Sequence, residues 1–163
     1  MELTELLIGI AEIAIAMAGF TGVVVAFGSR SQGAWHPGDR LRLVFLLEAS
    51  LTAAGFALSA LLLYTIWGDT AETWRLLSAV WVVATALSLW RSHRKIRANL
   101  DVHDDVDSVA NRLTTSAFIA LCLVQIVNVV YWHDFSPFLA AILLNVAGAA
   151  MQFARLVRSA FRD

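Results

Sequence analysis

The sequence predicts an all-α integral membrane protein, a single helical bundle with five transmembrane helices. Hydrophobic residues make up 59% of the 163 residues and charged residues only 15%, against about 45–50% and about 25% in an average soluble domain. The charged residues are concentrated in short stretches, which leaves five long apolar runs. Each run is long enough, or nearly so, for a helix to cross a hydrocarbon core of roughly 30 Å.

In chain order, the predicted spans are residues 6–27, 41–67, 74–90, 113–132 and 138–157. The first span contains Glu12, which opposes membrane insertion by about 2.5–3.5 kcal/mol when charged. The Leu, Ile, Val and Phe side chains of the same span favour insertion by about 3–7 kcal/mol. The third contains Arg75 near its start, where a long side chain can extend to the interface. Of the connections, only 92–111 is long, and we expect it to be cytoplasmic.

The basic residues predict the orientation, because Lys and Arg beside spans are retained in the cytoplasm. All of the 12 basic residues except Arg75 lie in or beside the first connection, the third connection and the C-terminal end. Five spans place these regions on one side, so we expect the N-terminus outside and the C-terminus inside, most simply in the cell membrane. Aromatic residues predicted at the outer interface are Trp67, Trp74, Tyr131 and Trp132. Basic residues expected to contact lipid headgroups are Arg91, Arg94, Lys95, Arg97, Arg155, Arg158 and Arg162.

Polar and small residues recur at helical spacing in every span, which predicts a stripe that faces the bundle interior. In the first two spans, the stripes are Glu5, Gly9, Glu12, Ala16 and Gly19, and then Glu48, Thr52, Gly55 and Ser59. In the third they are Ser78, Trp81, Thr85, Ser88 and Ser92. Gln125 and Asn128 share a face of the fourth span, and Asn145, Gly148 and Gln152 share a face of the fifth.

Six of these residues are candidates for binding a proton or a cation, because carboxyl and amide groups inside a membrane are costly and can relay protons. The candidates are Glu12, Glu48, Gln125, Asn128, Asn145 and Gln152. Counting from the span ends places the three Asn and Gln residues 125, 128 and 145 in one layer with Glu12. The alternative is that these groups only hold helices together, since interhelical hydrogen bonds contribute about 0.6–2 kcal/mol each.

Small residues also recur every fourth position along another face of the first span: Ala14, Ala18, Gly22 and Ala26. Such a ladder permits close approach of two helix backbones. It predicts either association with a second copy or packing against a neighbouring span of the same chain.

No catalytic signature, cofactor motif or metal site is expected from the sequence. The acidic segment 101–107 has ligand types suited to a divalent cation, but Val106 stands where an EF-hand requires Gly and Arg112 where it requires Glu. A net charge of −1 also argues against a nucleic-acid partner.

Two classes of function therefore remain open. The first is a small, oligomeric membrane protein that conducts or transports protons or cations through its carboxyl groups. The second is a structural or accessory subunit, whose partners are the lipid bilayer and either further copies of itself or another membrane subunit.

The predicted topology is tested by cysteine labelling in a Cys122→Ala background. Cysteines introduced at Ser136 and at Asp101 should react with a membrane-impermeant maleimide from opposite sides of the membrane, because four predicted spans precede Ser136 and three precede Asp101. Labelling of both positions from the same side would contradict the five-span topology.

Overall fold

A computed structural model of the chain describes the backbone of residues 3–31, 37–98 and 108–160 and the side chains of 3–23, 39–94 and 112–158. The described residues form five long helices, α1 (Leu3–Ser31), α2 (Pro37–Trp67), α3 (Ala71–Ala98), α4 (Ser108–Val127) and α5 (Phe135–Ala160). α4 continues directly into a π-helical turn, Asn128–Trp132. These three ranges contain no strand, which confirms the predicted all-α class.

Each helix contains an apolar segment long enough to cross a membrane, as predicted. The segments are Leu3–Val23, Asp39–Trp67, Ala71–Arg94, Arg112–Trp132 and Phe135–Arg158. The acidic segment 101–107 lies outside the described residues.

The chain divides into two compact units. The first consists of Met1–Leu61 and Ile142–Asp163, and it contains α1, most of α2 and the larger part of α5. The second is Leu62–Ala141, which contains the end of α2, all of α3 and α4, and the first turns of α5. That the whole chain acts as one helical domain remains a prediction.

A contact between small side chains joins α1 to α2 in the first unit. Ala14, 1% exposed, packs with Ala53 and Ala54, and Val146 of α5 lies against them. We call these three alanines the alanine contact. Short side chains allow helix backbones to approach closely, and in a membrane such packing replaces the hydrophobic driving force that water would supply.

The alanine contact belongs to a continuous buried face on each of the two helices. On α1 this face consists of Leu7, Ile10, Ala11, Ala14 and Thr21. On α2 it consists of Leu46, Ser50, Ala53, Ala54, Ala57 and Ala60. Most of these residues lie three or four positions from another member of the same face, and Thr21 lies seven positions, or two turns, after Ala14; these spacings keep them on one side of a helix. The buried faces of α1 and α2 are therefore rich in alanine and poor in the polar residues that were expected there.

Aromatic packing organises the second unit around Trp74, which is 2% exposed. Its ring centroid lies 4.9 Å from that of Phe135, 6.0 Å from Phe138 and 6.4 Å from Tyr64. Trp74 Nε1 donates a hydrogen bond of 2.6 Å to Asp69 Oδ1, which satisfies its polar atom. Trp74 is therefore buried among side chains of this unit, and its predicted position at the depth of the outer membrane interface remains a prediction. Trp67, Tyr131 and Trp132 are exposed.

Short capped turns connect the helices of the second unit. Gly68 ends α2 with a φ of 74°, a left-handed conformation that glycine adopts without steric strain. Thr70 then caps α3, since its Oγ1 accepts a hydrogen bond from the backbone N–H of Thr73 at 3.4 Å. After the π-helical turn, His133 takes a left-handed φ of 55° and its N–H donates to the carbonyl oxygen of Asn128 at 2.9 Å.

Candidate functional site

Two groups of predicted site residues have clear surroundings in the structure, one in each unit. In the second unit, Asn128 lies at the centre of a hydrogen-bonded group, which we call the amide cluster: Ser78, Gln125, Asn128, Asp134 and Pro137. Asn128 is 0% exposed. It occupies the first position of the π-helical turn, where α4 approaches both α3 and the start of α5.

The side chain of Asn128 uses both of its amide atoms. Its Nδ2 donates to Ser78 Oγ at 2.8 Å and to the carbonyl oxygen of Asp134 at 2.9 Å. Its Oδ1 accepts from the backbone N–H of Asp134, also at 2.9 Å. The amide thus pairs with both backbone groups of Asp134, its N–H and its C=O, much as a residue of a neighbouring strand would. This pairing closes the turn between α4 and α5 and ties it to α3.

Gln125 lies one helical turn before Asn128 and is also 0% exposed. Its Nε2 donates to the carbonyl oxygen of Pro137 in the first turn of α5 at 2.5 Å. Its Oε1 has no hydrogen-bond partner among the described residues. The side-chain amides of Gln125 and Asn128 therefore bind the backbone where the chain passes into α5. This matches the alternative in which these polar groups hold helices together.

In the first unit, the face of α1 that was predicted to point to the bundle interior is exposed. Glu12, predicted to face the interior, is exposed, and so are Ala16 and Gly19 on the same stripe. Because α1 has 3.6 residues per turn, Glu12 lies on the side of the helix opposite to Leu7, Ala14 and Thr21. The physical reason is the alanine contact, which buries the opposite face of α1.

The carboxyl group of Glu12 has apolar surroundings on this exposed face. Ile8 is 43% exposed and Ile15 is 52% exposed, and each lies about one turn from Glu12. Glu12 makes no hydrogen bond or ion pair with any residue that the structure describes. It lies near the middle of the apolar segment Leu3–Val23, where a charged carboxylate costs about 2.5–3.5 kcal/mol.

Two glycines on this stripe have no packing role within the described chain. A Cβ added at Gly9 or at Gly19 meets no atom within 4 Å. Glycine in a helix is about 0.8–1.0 kcal/mol less favourable than alanine. No neighbouring atom in the described chain explains why glycine rather than alanine stands at either position. We call Gly9, Glu12, Ala16 and Gly19 the outer face of α1.

The other predicted carboxyl and amide residues belong to the first unit. Glu48 is half-buried, Asn145 is 5% exposed and Gln152 is half-buried. Glu48 and Asn145 each have an interaction partner. The predicted layer that would join Asn145 with Gln125 and Asn128 remains a prediction.

The small-residue ladder of α1 does not form one uniform surface. Ala14 is buried against α2, Ala18 is half-buried and Gly22 is exposed. The side chain of Ala26 lies outside the described residues. Of the two predicted roles of the ladder, association with a second copy or packing within the chain, Ala14 shows packing within the chain.

Basic residues predicted to contact lipid headgroups lie toward the C-terminal ends of α3 and α5. Arg91, Arg94 and Arg158 are exposed and Arg155 is half-buried. The guanidinium of Arg94 lies over the ring of Trp90, 5.0 Å from its centroid, an attractive cation–π arrangement. The side chains of Lys95, Arg97 and Arg162 lie outside the described residues.

Within the described ranges, no group of three or more His, Cys, Asp or Glu side chains is placed to hold a metal ion. Comparison with protein-family models, curated proteins and solved structures finds no match to this chain. The functional argument therefore depends on the residues of the chain itself.

We expect the amide cluster to make a measurable contribution to folding stability. Asn128→Leu removes three hydrogen bonds and should lower the free energy of unfolding by about 2–4 kcal/mol, whereas Ser78→Ala removes one and should lower it by about 1 kcal/mol. The measurement is equilibrium unfolding in mixed micelles, monitored by circular dichroism. Ile126→Leu, at an exposed position of the same helix, should change stability by less than about 0.5 kcal/mol. An Asn128→Leu variant as stable as this control would contradict the assigned role.

Proposed function

We propose that this protein is a subunit of a membrane assembly that associates with further copies of itself through the outer face of α1. The observation that supports this most directly is the exposure of Glu12 without a partner, halfway along an apolar helix segment. Ionisable residues inside membranes normally pair with one another or face a protein interior. One chain leaves Glu12 exposed, so a second subunit is the natural source of a partner.

The chemistry of a carboxyl group favours an identical chain as that partner. A protonated carboxyl carries one hydrogen-bond donor and one acceptor, so two copies of the same residue can satisfy each other. In a two-fold symmetric contact between two chains in the same orientation, residues on the axis meet their own counterparts. Glu12 would then pair with Glu12 of the second chain.

The remainder of the outer face is suited to such a contact. Gly9, Ala16 and Gly19 have minimal side chains, and they repeat at helical spacing on both sides of Glu12. Small residues allow two α1 backbones to approach closely, which strengthens both the packing and the hydrogen bond between carboxyl groups. The absence of neighbours within 4 Å of a Cβ at Gly9 or Gly19 leaves room for this approach.

We further propose that the assembly lies in the cell membrane with the N-terminus outside and the C-terminus inside. The distribution of Lys and Arg supports this orientation. In that orientation Arg91 and Arg94 at the end of α3, and Arg155 and Arg158 near the end of α5, are on the cytoplasmic side. There they would contact anionic headgroups. The proposed role needs no catalytic centre.

The proposed assembly predicts position-specific crosslinking between copies. In a Cys122→Ala background, Ala16→Cys should form a disulfide-linked dimer in native membranes under mild oxidation, because position 16 lies close to the two-fold axis. Ala86→Cys, at an exposed position of α3, is the matched control and should remain monomeric. Glu12→Leu should weaken association about tenfold, and Glu12→Gln should largely retain it, since an amide also donates and accepts. Equal crosslinking at positions 16 and 86 would contradict the proposal.

A second candidate function is conduction of protons or cations, with Glu12 and Glu48 as the binding groups. It is favoured by the fact that Glu12 is accessible rather than enclosed, so a route formed between copies would carry a carboxyl group at mid-membrane. The test is proton flux into liposomes containing a pH-sensitive dye. Wild-type protein should exceed the Glu12→Gln, Glu48→Gln double variant several-fold. Equal flux for the two proteins eliminates conduction and leaves the assembly role standing.

A further inference from the structure

One side of α3 carries large apolar side chains that remain exposed along most of the helix. Its members lie at alternating steps of four and three residues, so they form one straight stripe. Each of them is between 42% and 59% exposed. We call this set the exposed stripe of α3: Leu76, Val80, Val83, Leu87 and Trp90.

A cationic group continues the exposed stripe at its end. Arg94 lies one turn after Trp90, and its guanidinium lies over the Trp90 ring, 5.0 Å from the centroid. Stacking on a ring uses the flat face of the guanidinium, so the N–H groups at its edge remain available to donate. Those donors match the oxygens of a phosphate group, which arginine binds through two parallel hydrogen bonds.

Arg94 and its neighbour Arg91 have no carboxylate partner among the residues that the structure describes. Both side chains are exposed. They lie three residues apart on a helix, a spacing at which two like charges repel each other. An anion bound beside the two guanidinium groups would offset this repulsion.

The dimensions of the stripe favour a phospholipid over a free anion. From Val80 to Trp90 the helix rises about 15 Å, which is one half of a hydrocarbon core of roughly 30 Å. An acyl chain can therefore lie along the stripe while the headgroup phosphate meets Arg94. Tryptophan is enriched at the level of the headgroups, which is where this arrangement places Trp90.

We propose that the exposed stripe of α3, together with Arg91 and Arg94, binds an anionic phospholipid. The phosphate accepts hydrogen bonds from Arg94, and Trp90 is a positioning residue because its ring holds the guanidinium. A zwitterionic headgroup would bring a cation of its own beside the two arginines, so a net negative headgroup is preferred. The site rests on the membrane placement proposed above and gives a defined geometry to the headgroup contact of these arginines.

The test is lipid retention by the full chain in detergent micelles, measured by native mass spectrometry. Phosphatidylglycerol and phosphatidylcholine with identical acyl chains are added at equal concentration. We expect the wild-type protein to retain phosphatidylglycerol several-fold more strongly. Inorganic phosphate at the same concentration should not displace it, because phosphate has no acyl chain to cover the stripe.

Substitutions in the site separate the roles of charge and ring. Arg94→Gln should lower the affinity for phosphatidylglycerol about fivefold, the effect of one basic residue beside an anionic surface. Trp90→Leu should also lower it, whereas Trp90→Phe should retain most of it, because a ring remains under the guanidinium. Arg75→Gln, at an exposed position of the same helix, is the matched control and should bind as the wild type does.

The proposal is overturned if the wild-type protein retains both lipids equally, if Arg94→Gln binds phosphatidylglycerol as well as Arg75→Gln does, or if inorganic phosphate displaces the lipid. Crosslinking of Ala16→Cys is a separate measurement. Loss of the lipid preference with crosslinking retained would remove this site and leave the assembly through α1 standing, and the reverse result would remove the assembly alone.

Discussion

The alanine contact determines which surfaces of the first unit are left for other molecules. Ala14 on α1 and Ala53 and Ala54 on α2 have almost no side chain to separate two backbones. Any larger residue at these positions would hold the helices apart. Because this contact turns one side of α1 toward α2, it necessarily presents the other side, with Glu12, to the surroundings. The exposed carboxyl group is thus a direct consequence of where the alanines lie.

A second constraint operates in the other unit, where helices must reverse direction without leaving peptide groups unpaired. Buried backbone N–H and C=O groups require a hydrogen-bond partner, and Gln125 and Asn128 are both 0% exposed. Asn128 supplies an acceptor to the N–H and a donor to the C=O of Asp134, and Gln125 supplies a donor to the carbonyl of Pro137. Side-chain amides therefore replace the solvent that would complete such a turn at the surface of a soluble protein.

The sequence was sufficient to predict the helices and much of one unit. The polar stripes of α3 and α4 are buried at Ser78, Trp81, Thr85, Gln125 and Asn128, as expected for residues that turn away from lipid. The stripe of α3 does not stay buried to its end, since Ser88 is exposed and Ser92 is half-buried. The same rule failed on α1 and α2, since Gly55 and Ser59 are exposed together with Glu12. Polarity predicts the inward face only where partners exist to satisfy the polar groups. On α1 and α2, close packing of alanines decided the orientation, and the alanines at 53, 57 and 60 were the signal that could have indicated it.

Two features of the amide cluster had no clear signal in the sequence. The carbonyl oxygens of Asp134 and Pro137 are backbone atoms, and their use depends on the path of the chain rather than on residue type. The π-helical turn was likewise not foreseen, although such turns often occur where a side chain must be aimed at a specific partner.

The π-helical turn also makes the end of α4 sensitive to chain length. Each of its hydrogen bonds encloses one more residue than an α-helical bond does, so Asn128–Trp132 accommodates an extra residue within the advance of the helix. Shortening this turn by one residue would rotate everything that follows relative to Asn128, and Asp134 would no longer meet its amide. Residues such as Val130 and Tyr131 can change in type at their exposed positions, but their number is fixed by the geometry of the turn they form.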